Sequence, residues 1–107
     1  MSVTYRYHHV GIPTATPVEG MTRLDPLRIA CTDHESNPYG IQWMMYDADC
    51  LLPALVREVA HVAFEVDNLE EAIAGKKVII PPNSPSPGVV VAFIEEAGAP
   101  IELLQFR

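Results

Sequence analysis

The sequence predicts an α+β fold dominated by β-strands, in which the chain divides into two successive halves. Three observations support this. Most patterned segments alternate every second residue, as strands do. One short stretch, 69–74, carries helix-capping signals. Each half opens on a strand with His-Val followed by small or apolar residues, at His9 and at His61. The second half, about 59–107, therefore has the order β-α-β-β-β. The first half, about 1–58, is a reduced version with its helix shortened or lost, and the whole chain forms one domain.

The expected strands are rich in β-branched and aromatic residues and are bounded by turn-forming residues. They span 5–12, 27–32, 39–46, 60–66, 77–80, 89–95 and 101–106. Between them we expect a loop with at most a short turn of helix at 14–26, a turn at 33–38 and a mixed connector at 47–58. The segment 81–88 is expected to be irregular, because its four prolines remove backbone donors and fix φ.

The helix signal follows the strand at 60–66. Asn68 is followed three residues later by Glu71, which is the spacing of a capping box. The helix is expected to span 69–74, and Gly75 then provides a left-handed stop. The apolar face of the preceding strand should pack under this helix. That face carries Val62, Phe64 and Val66.

Composition narrows the classes of partner. The formal net charge is −7, from 14 acidic and 7 basic residues, and the basic residues form no cluster. Nucleic acid and anionic membrane surfaces are therefore not expected as partners, whereas a small molecule remains compatible. A domain of this size buries only about two-thirds of its unfolded surface, so a homodimer is expected because it would bury more.

The two cysteines, Cys31 and Cys50, do not form a CxxC pair, so no thiolate zinc motif is present. The first residues contain no apolar signal region. We therefore expect a cytoplasmic protein with two free thiols.

Strand parity indicates which polar side chains can share a site, because successive side chains point to opposite faces. If the apolar face of 60–66 packs under the helix, His61 points to the other face, which is concave if the sheet cups. Glu102 lies in the apolar strand 101–106, where an unpartnered carboxylate is costly to bury. It needs a metal or a histidinium as a partner. His8 and His9 are expected to point opposite ways, so only one of them can reach a given site.

Two imidazoles and one carboxylate from separate strands form a common ligand set for divalent ions. Gln42, on the strand 39–46, adds an amide oxygen as a fourth ligand. Two positions of an octahedral ion would then stay open for a substrate that chelates through two oxygens.

Structural roles compete with each of these assignments. A single strand histidine is more often hydrogen-bonded than metal-bound, Glu102 can serve as a surface charge, and Gln42 can face solvent. The triplet Asp33-His34-Glu35 has metal-binding residue types, but adjacent residues in a turn usually form a solvated loop. Spacing alone therefore does not favour a metal site over these roles.

Four segments resemble the vicinal oxygen chelate (glyoxalase-like) superfamily over essentially the whole chain. His9-Val10-Gly11-Ile12 is similar to its first-strand signature. Residues 61–68 (HVAFEVDN) resemble the opening of its second module, and 98–103 (GAPIEL) its closing turn and strand. Gln42, within 40–43 (GIQW), matches the last strand of the first module.

This resemblance implies paired βαβββ modules that form a cupped mixed β-sheet, and a homodimer. It implies that the metal ligands are His9, Gln42, His61 and Glu102, and that the ion is Zn, Ni, Co, Mn or Fe. A four-ligand set with Gln is similar to the sets of isomerases and lyases in this superfamily, which stabilise an enediolate while a carboxylate moves a proton. Glu102 is then the candidate catalytic base, and Glu65 a weaker one.

Other functions stay open from the sequence. Trp43 and Phe93 are candidate neighbours of a substrate pocket. One alternative is a non-catalytic protein that binds a drug or metabolite. Another is an Fe(II) dioxygenase that uses only two histidines and one carboxylate. The last alternative is a structural domain without a functional site.

Overall fold

The computed structural model describes residues 2–107 as one mixed β-sheet with two short helices. The eight strands are β1 (Arg6–Pro13), β2 (Thr22–Leu24), β3 (Ile29–Cys31), β4 (Ile41–Tyr46), β5 (His61–Glu65), β6 (Lys77–Asn83), β7 (Val89–Glu96) and β8 (Ala99–Phe106). The helices are α1 (Ala54–Glu58) and α2 (Leu69–Ile73), and 3₁₀ turns lie at Asp25–Leu27 and His34–Ser36. The cupped α+β sheet expected from the sequence is therefore present.

The strand order is β2-β3-β4-β1-β5-β8-β7-β6, so the two halves of the chain meet at the β1–β5 pair. Each half repeats the same pairings. Its first and last strands are parallel, as in β1–β4 and β5–β8, and its other neighbours are antiparallel. The first and last strands of both halves therefore lie side by side at the centre of the sheet, which curls around one concave face.

The helix α2 covers the convex face of the second half. Asn68 caps it by accepting a hydrogen bond from the backbone N–H of Glu71, as expected. Its apolar residues pack on the sheet in a buried cluster. That cluster consists of Val66, Leu69, Ala72, Ala92, Ile94 and Leu103. Burial on this face leaves the opposite face of β5 and β8 free to carry polar groups.

In the first half, no helix connects β1 to β2 within the described chain, which agrees with the expected loss of the helix. The segment 14–26, expected as a loop with at most a short turn of helix, ends in a 3₁₀ turn but also contains the strand β2. All three residues of β2 are exposed, so its sequence shows no hydrophobic alternation that would indicate a strand. The strand forms through its pairing with β3. In the connector 47–58, α1 begins directly after Pro53.

The prediction that 81–88 is irregular was wrong for its first three residues. The strand β6 continues through Pro81 and Pro82 to Asn83. It is an edge strand that pairs only with β7, and a proline is tolerated where a backbone N–H faces no partner strand.

The described residues form no helix that is long and apolar enough to span a membrane. Cys31 and Cys50 are both buried and unpaired.

Candidate metal centre

Three side chains from the central strands converge on the concave face. His9 Nε2 and His61 Nε2 each lie 3.1 Å from the same carboxylate oxygen, Glu102 Oε1. His9 is 5% exposed and His61 is 2% exposed, while the Glu102 side chain is 13% exposed. The ligand atoms of these three residues are close enough together to hold one metal ion.

Strand register explains the convergence. His9 on β1 and Glu102 on β8 both pair with Ala63 of β5, so their side chains flank a methyl group. His61 pairs with Gly11, which pairs on its other side with Gln42. Because paired residues share a face of the sheet, Ala63 and Gly11 form a floor of small residues beneath the larger polar side chains.

Gly11 makes room for the imidazole of His61. A Cβ at position 11 would lie 2.1 Å from His61 Cε1 and 2.6 Å from both ring nitrogens. Real Cβ contacts are never that short, so the His61 ring occupies the space that any other residue at position 11 would fill. Glycine is therefore needed here for space rather than for backbone freedom.

The hydrogen bonds within the cluster are incomplete. His61 Nε2 has hydrogen-bond geometry towards Glu102 Oε1. His9 Nε2 is equally close to that oxygen, but its orientation is wrong for a hydrogen bond, and His61 Nδ1 also has no partner among the described residues. Buried polar atoms without partners are rare and costly. Two cis ligands of an octahedral ion with bonds of about 2.1 Å lie about 3.0 Å apart, so the 3.1 Å spacings fit a shared cation.

The carboxylate of Glu102 is held in its anionic form. Burial by itself would raise the pKa of this carboxyl. The contacts with His61 and His9 and the electrostatic attraction of their imidazoles outweigh burial, and they lower the pKa to about 2. An ionised carboxylate is the form that binds a metal.

The parity prediction for His8 and His9 was wrong, because β1 contains a bulge. Tyr7 pairs with Phe64 and His9 pairs with the next residue of β5, Ala63, which leaves His8 as an extra residue. A bulge redirects side chains at the irregularity, and both histidines line the same cavity. Strand alternation carries no signal for this bulge.

His8 contacts His9 directly. The two Nδ1 atoms are 2.8 Å apart, so one donates a hydrogen bond to the other. Burial, followed by the neighbouring His9 and His34 imidazoles, lowers the pKa of His8. If His9 uses Nε2 as a ligand, its proton is on Nδ1, and His8 Nδ1 is the acceptor that holds this tautomer.

His34 is the second residue that sequence reasoning placed outside the site. It lies in a 3₁₀ turn where Asp33 accepts a hydrogen bond from the N–H of Glu35. Its ring centroid is 4.5 Å from that of His8 and 5.5 Å from that of His9. All four histidines of the chain therefore line one cavity with Glu102. The turn residues gave no indication of this, because the contact depends on how the turn packs against β1.

The cavity above the cluster has a volume of about 450 Å³, within the usual range for small-molecule sites. Gln42 lines it, and its Nε2 donates to Cys31 Sγ at 3.6 Å. Phe93 also lines it, with its ring centroid 5.0 Å from that of His61.

The expectation that Trp43 lies beside the pocket was wrong. Trp43 follows Gln42 along β4, points to the opposite face, and is not part of the lining. Glu65 is also outside the cavity, and its Oε2 lies 3.5 Å from the Nη2 atom of Arg6.

No protein-family model and no curated protein matches this chain. Solved structures do match. One is a hypothetical protein, BH1468, from Bacillus halodurans C-125, which is 17% identical. The alignment covers 97% of this chain and 96% of that one, with a TM-score of 0.65. At this identity the likeness shows a shared fold along the whole chain.

The contact between His8 and His9 leads to a prediction about metal affinity. The His8→Leu substitution removes the acceptor for His9 Nδ1, so we expect Zn²⁺ affinity to fall about 10- to 100-fold. His8→Asn places an amide oxygen near the position of Nδ1 and should keep the affinity within about threefold of the parent. Competition with a chromophoric chelator measures both. Equal weakening of the two variants would contradict the acceptor role.

Proposed function

We propose that this chain is a divalent-metal-dependent enzyme of the glyoxalase-like superfamily. Its proposed activity is that of an isomerase or lyase on a small metabolite that chelates through oxygen. One observation carries the proposal: His9, His61 and Glu102 converge from three strands at the base of a cavity, with their ligand atoms spaced as around a single ion.

The topology supports the family assignment. The family's ligands belong to the first and last strands of its two modules, and in this chain those four strands, β4-β1-β5-β8, are adjacent at the centre of the sheet. The residues matched to ligands, His9, Gln42, His61 and Glu102, all line the same cavity. The repeated pairing within each half supports a two-module origin.

The residues present fit a divalent ion. His9 Nε2, His61 Nε2 and Glu102 Oε1 would hold it, and it would offset the buried negative charge of Glu102. The oxygen of the Gln42 amide would provide a fourth ligand. When bound, the ion supplies Lewis-acid stabilisation of negative charge on a substrate oxygen.

The protein groups around the ion contribute positioning and proton transfer. Glu102 is ionised at neutral pH, so it accepts a proton from the substrate only if its contacts with His9 and His61 loosen. Phe93 pairs with Glu102 across β7 and β8, and the Glu102 side chain is 13% exposed, so little of that carboxylate is open to water. A reactive carbanion-like species would therefore be protected from unwanted protonation.

A second candidate function is an Fe(II) dioxygenase. It is favoured by the spacing of His9, His61 and Glu102, whose ligand atoms can hold an ion by themselves, while the Gln42 amide nitrogen donates to Cys31. Such a triad with open positions is typical of non-haem Fe(II) oxygenases. Oxygen uptake by the Fe(II)-loaded protein, absent with Zn²⁺, would favour this candidate.

Exchange of substrate protons with D₂O tests the isomerase or lyase proposal whatever the product of the reaction. Zn²⁺- or Ni²⁺-loaded protein is incubated with a panel of 2-hydroxy ketones and 2-oxo acids, and loss of the proton signal next to the carbonyl is followed by NMR. We expect catalysed exchange with at least one compound and none with Glu102→Gln. Glu65→Gln is the matched control and should retain exchange, because Glu65 lies outside the cavity. Metal-loaded protein that binds the compounds without exchange would contradict the enzymatic proposal and favour a binding protein.

A further inference from the structure

From the charge distribution around the cavity, we infer that the site accepts molecules with an apolar body and no charged group other than the chelating oxygens. Phosphorylated compounds and those with an additional carboxylate are excluded. This inference rests on the proposed metal centre and specifies the substrate class that the centre accepts.

The walls beyond the ligand cluster are mostly apolar. They come from both halves of the sheet and from the segment that leads into α1. Representative wall residues are Leu24, Ile29, Leu52, Val91, Phe93 and Leu104. An alkyl or aryl group bound against these walls would be removed from water, which stabilises the complex by about 0.8 kcal/mol for each buried methylene.

No lysine or arginine among residues 2–107 lines the cavity. Most of the basic side chains form ion pairs with carboxylates elsewhere in the described chain. The paired residues are Arg6, Arg23, Arg28, Lys76 and Lys77. Arg57 donates to the backbone carbonyl of Leu52. A phosphate or a second carboxylate in this cavity would therefore have no lysine or arginine to pair with.

Two carboxylates line the cavity. Glu102 lies at the base and Glu35 is exposed at the rim. A divalent ion balances these two carboxylates and leaves no surplus positive charge. The chelating oxygens can bind the ion directly, but an additional anionic group would lose its hydration without compensation. It would also be repelled by Glu35, so the site selects against it.

Alkyl hydroxamates test this inference because they chelate metals through two adjacent oxygens and can be varied at the other end. Hexanohydroxamic acid and adipic monohydroxamic acid have the same chain length and chelating group, but the second ends in a carboxylate instead of a methyl group. Isothermal titration of the Zn²⁺-loaded protein should show hexanohydroxamate binding at least about tenfold more tightly. From acetohydroxamate to hexanohydroxamate, affinity should rise up to about fourfold for each methylene.

A charge introduced into the wall provides a matched control. Phe106 lines the cavity and is 49% exposed, so Phe106→Lys adds a cation to the wall at a position that tolerates it. It should raise the affinity for adipic monohydroxamate and so reduce the preference for hexanohydroxamate over that compound. Leu51→Lys makes the same charge change at a side chain that is 97% exposed and outside the cavity, and should leave the preference unchanged.

Zinc content measured after each titration separates this inference from the metal centre. Equal or tighter binding of the charged hydroxamate, or no binding of either compound, overturns the inference if one Zn²⁺ per chain is retained. A protein that takes up no Zn²⁺ overturns both the inference and the proposed function.

Discussion

Replacement of Gly11 with alanine is expected to abolish metal binding while the sheet remains folded. The added Cβ would overlap the imidazole of His61, with 2.1 Å to Cε1. His61 lines the cavity, so its ring can shift only by moving Nε2 away from Glu102 Oε1, which now lies 3.1 Å from it. We expect Zn²⁺ affinity to fall about 100-fold or more, with a loss of stability of about 1–3 kcal/mol from overpacking.

Chelator competition measures the affinity of this variant, and circular dichroism verifies that it folds. Gly75→Ala is the matched control. Gly75 has a positive φ of 73°, and no atom lies within 4 Å of the position that a Cβ would take, so this variant bears backbone strain without touching the site. It should lose about 1 kcal/mol of stability and keep its metal. Parental affinity in Gly11→Ala would show that the packing of His61 against Gly11 does not define the centre.

The second large effect is on thermal stability. An ion that binds only the folded state adds about 2.7 kcal/mol to the free energy of unfolding at a free concentration about 100 times its Kd. For a chain of this size, this corresponds to an increase in Tm on the order of 10 °C. The metal also gives a partner to His9 Nε2, a buried atom that has none among the described residues.

Differential scanning calorimetry with Zn²⁺, and then with excess EDTA, measures this effect directly. His61→Ala should unfold at the same temperature with and without Zn²⁺, because one of its three ligands is missing. Mg²⁺ at the same concentration controls for general screening of the net charge of −7. The same increase in Tm for the parent and for His61→Ala would place the stabilising ion elsewhere.

Strand alternation predicted the face of the sheet on which the site lies. His61 lies opposite the apolar side chains that pack under α2, and Glu102 joins it on the concave face. The capping pattern at Asn68 predicted the start of α2. These features depend on residues close together in the sequence, for which period and capping chemistry are informative.

Features that depend on tertiary contacts were not predictable in this way. The bulge that directs His8 into the cavity is a property of the β1–β5 pairing, and no residue type in β1 indicates it. His34 reaches His8 because its turn packs over the sheet, although its sequence is typical of a solvated loop. The strand at Pro81 is possible because β6 lies at the sheet edge, a position that depends on the order of all eight strands.

Elemental analysis of untagged protein tests the metal centre most directly. Parent protein, His61→Ala, Glu102→Ala and Glu65→Ala are purified in parallel, and their divalent metal content is measured. We predict one ion per chain in the parent and in Glu65→Ala, whose carboxylate lies outside the cavity, and almost none in the other two. Equal metal content in all four proteins would contradict a centre built from His9, His61 and Glu102.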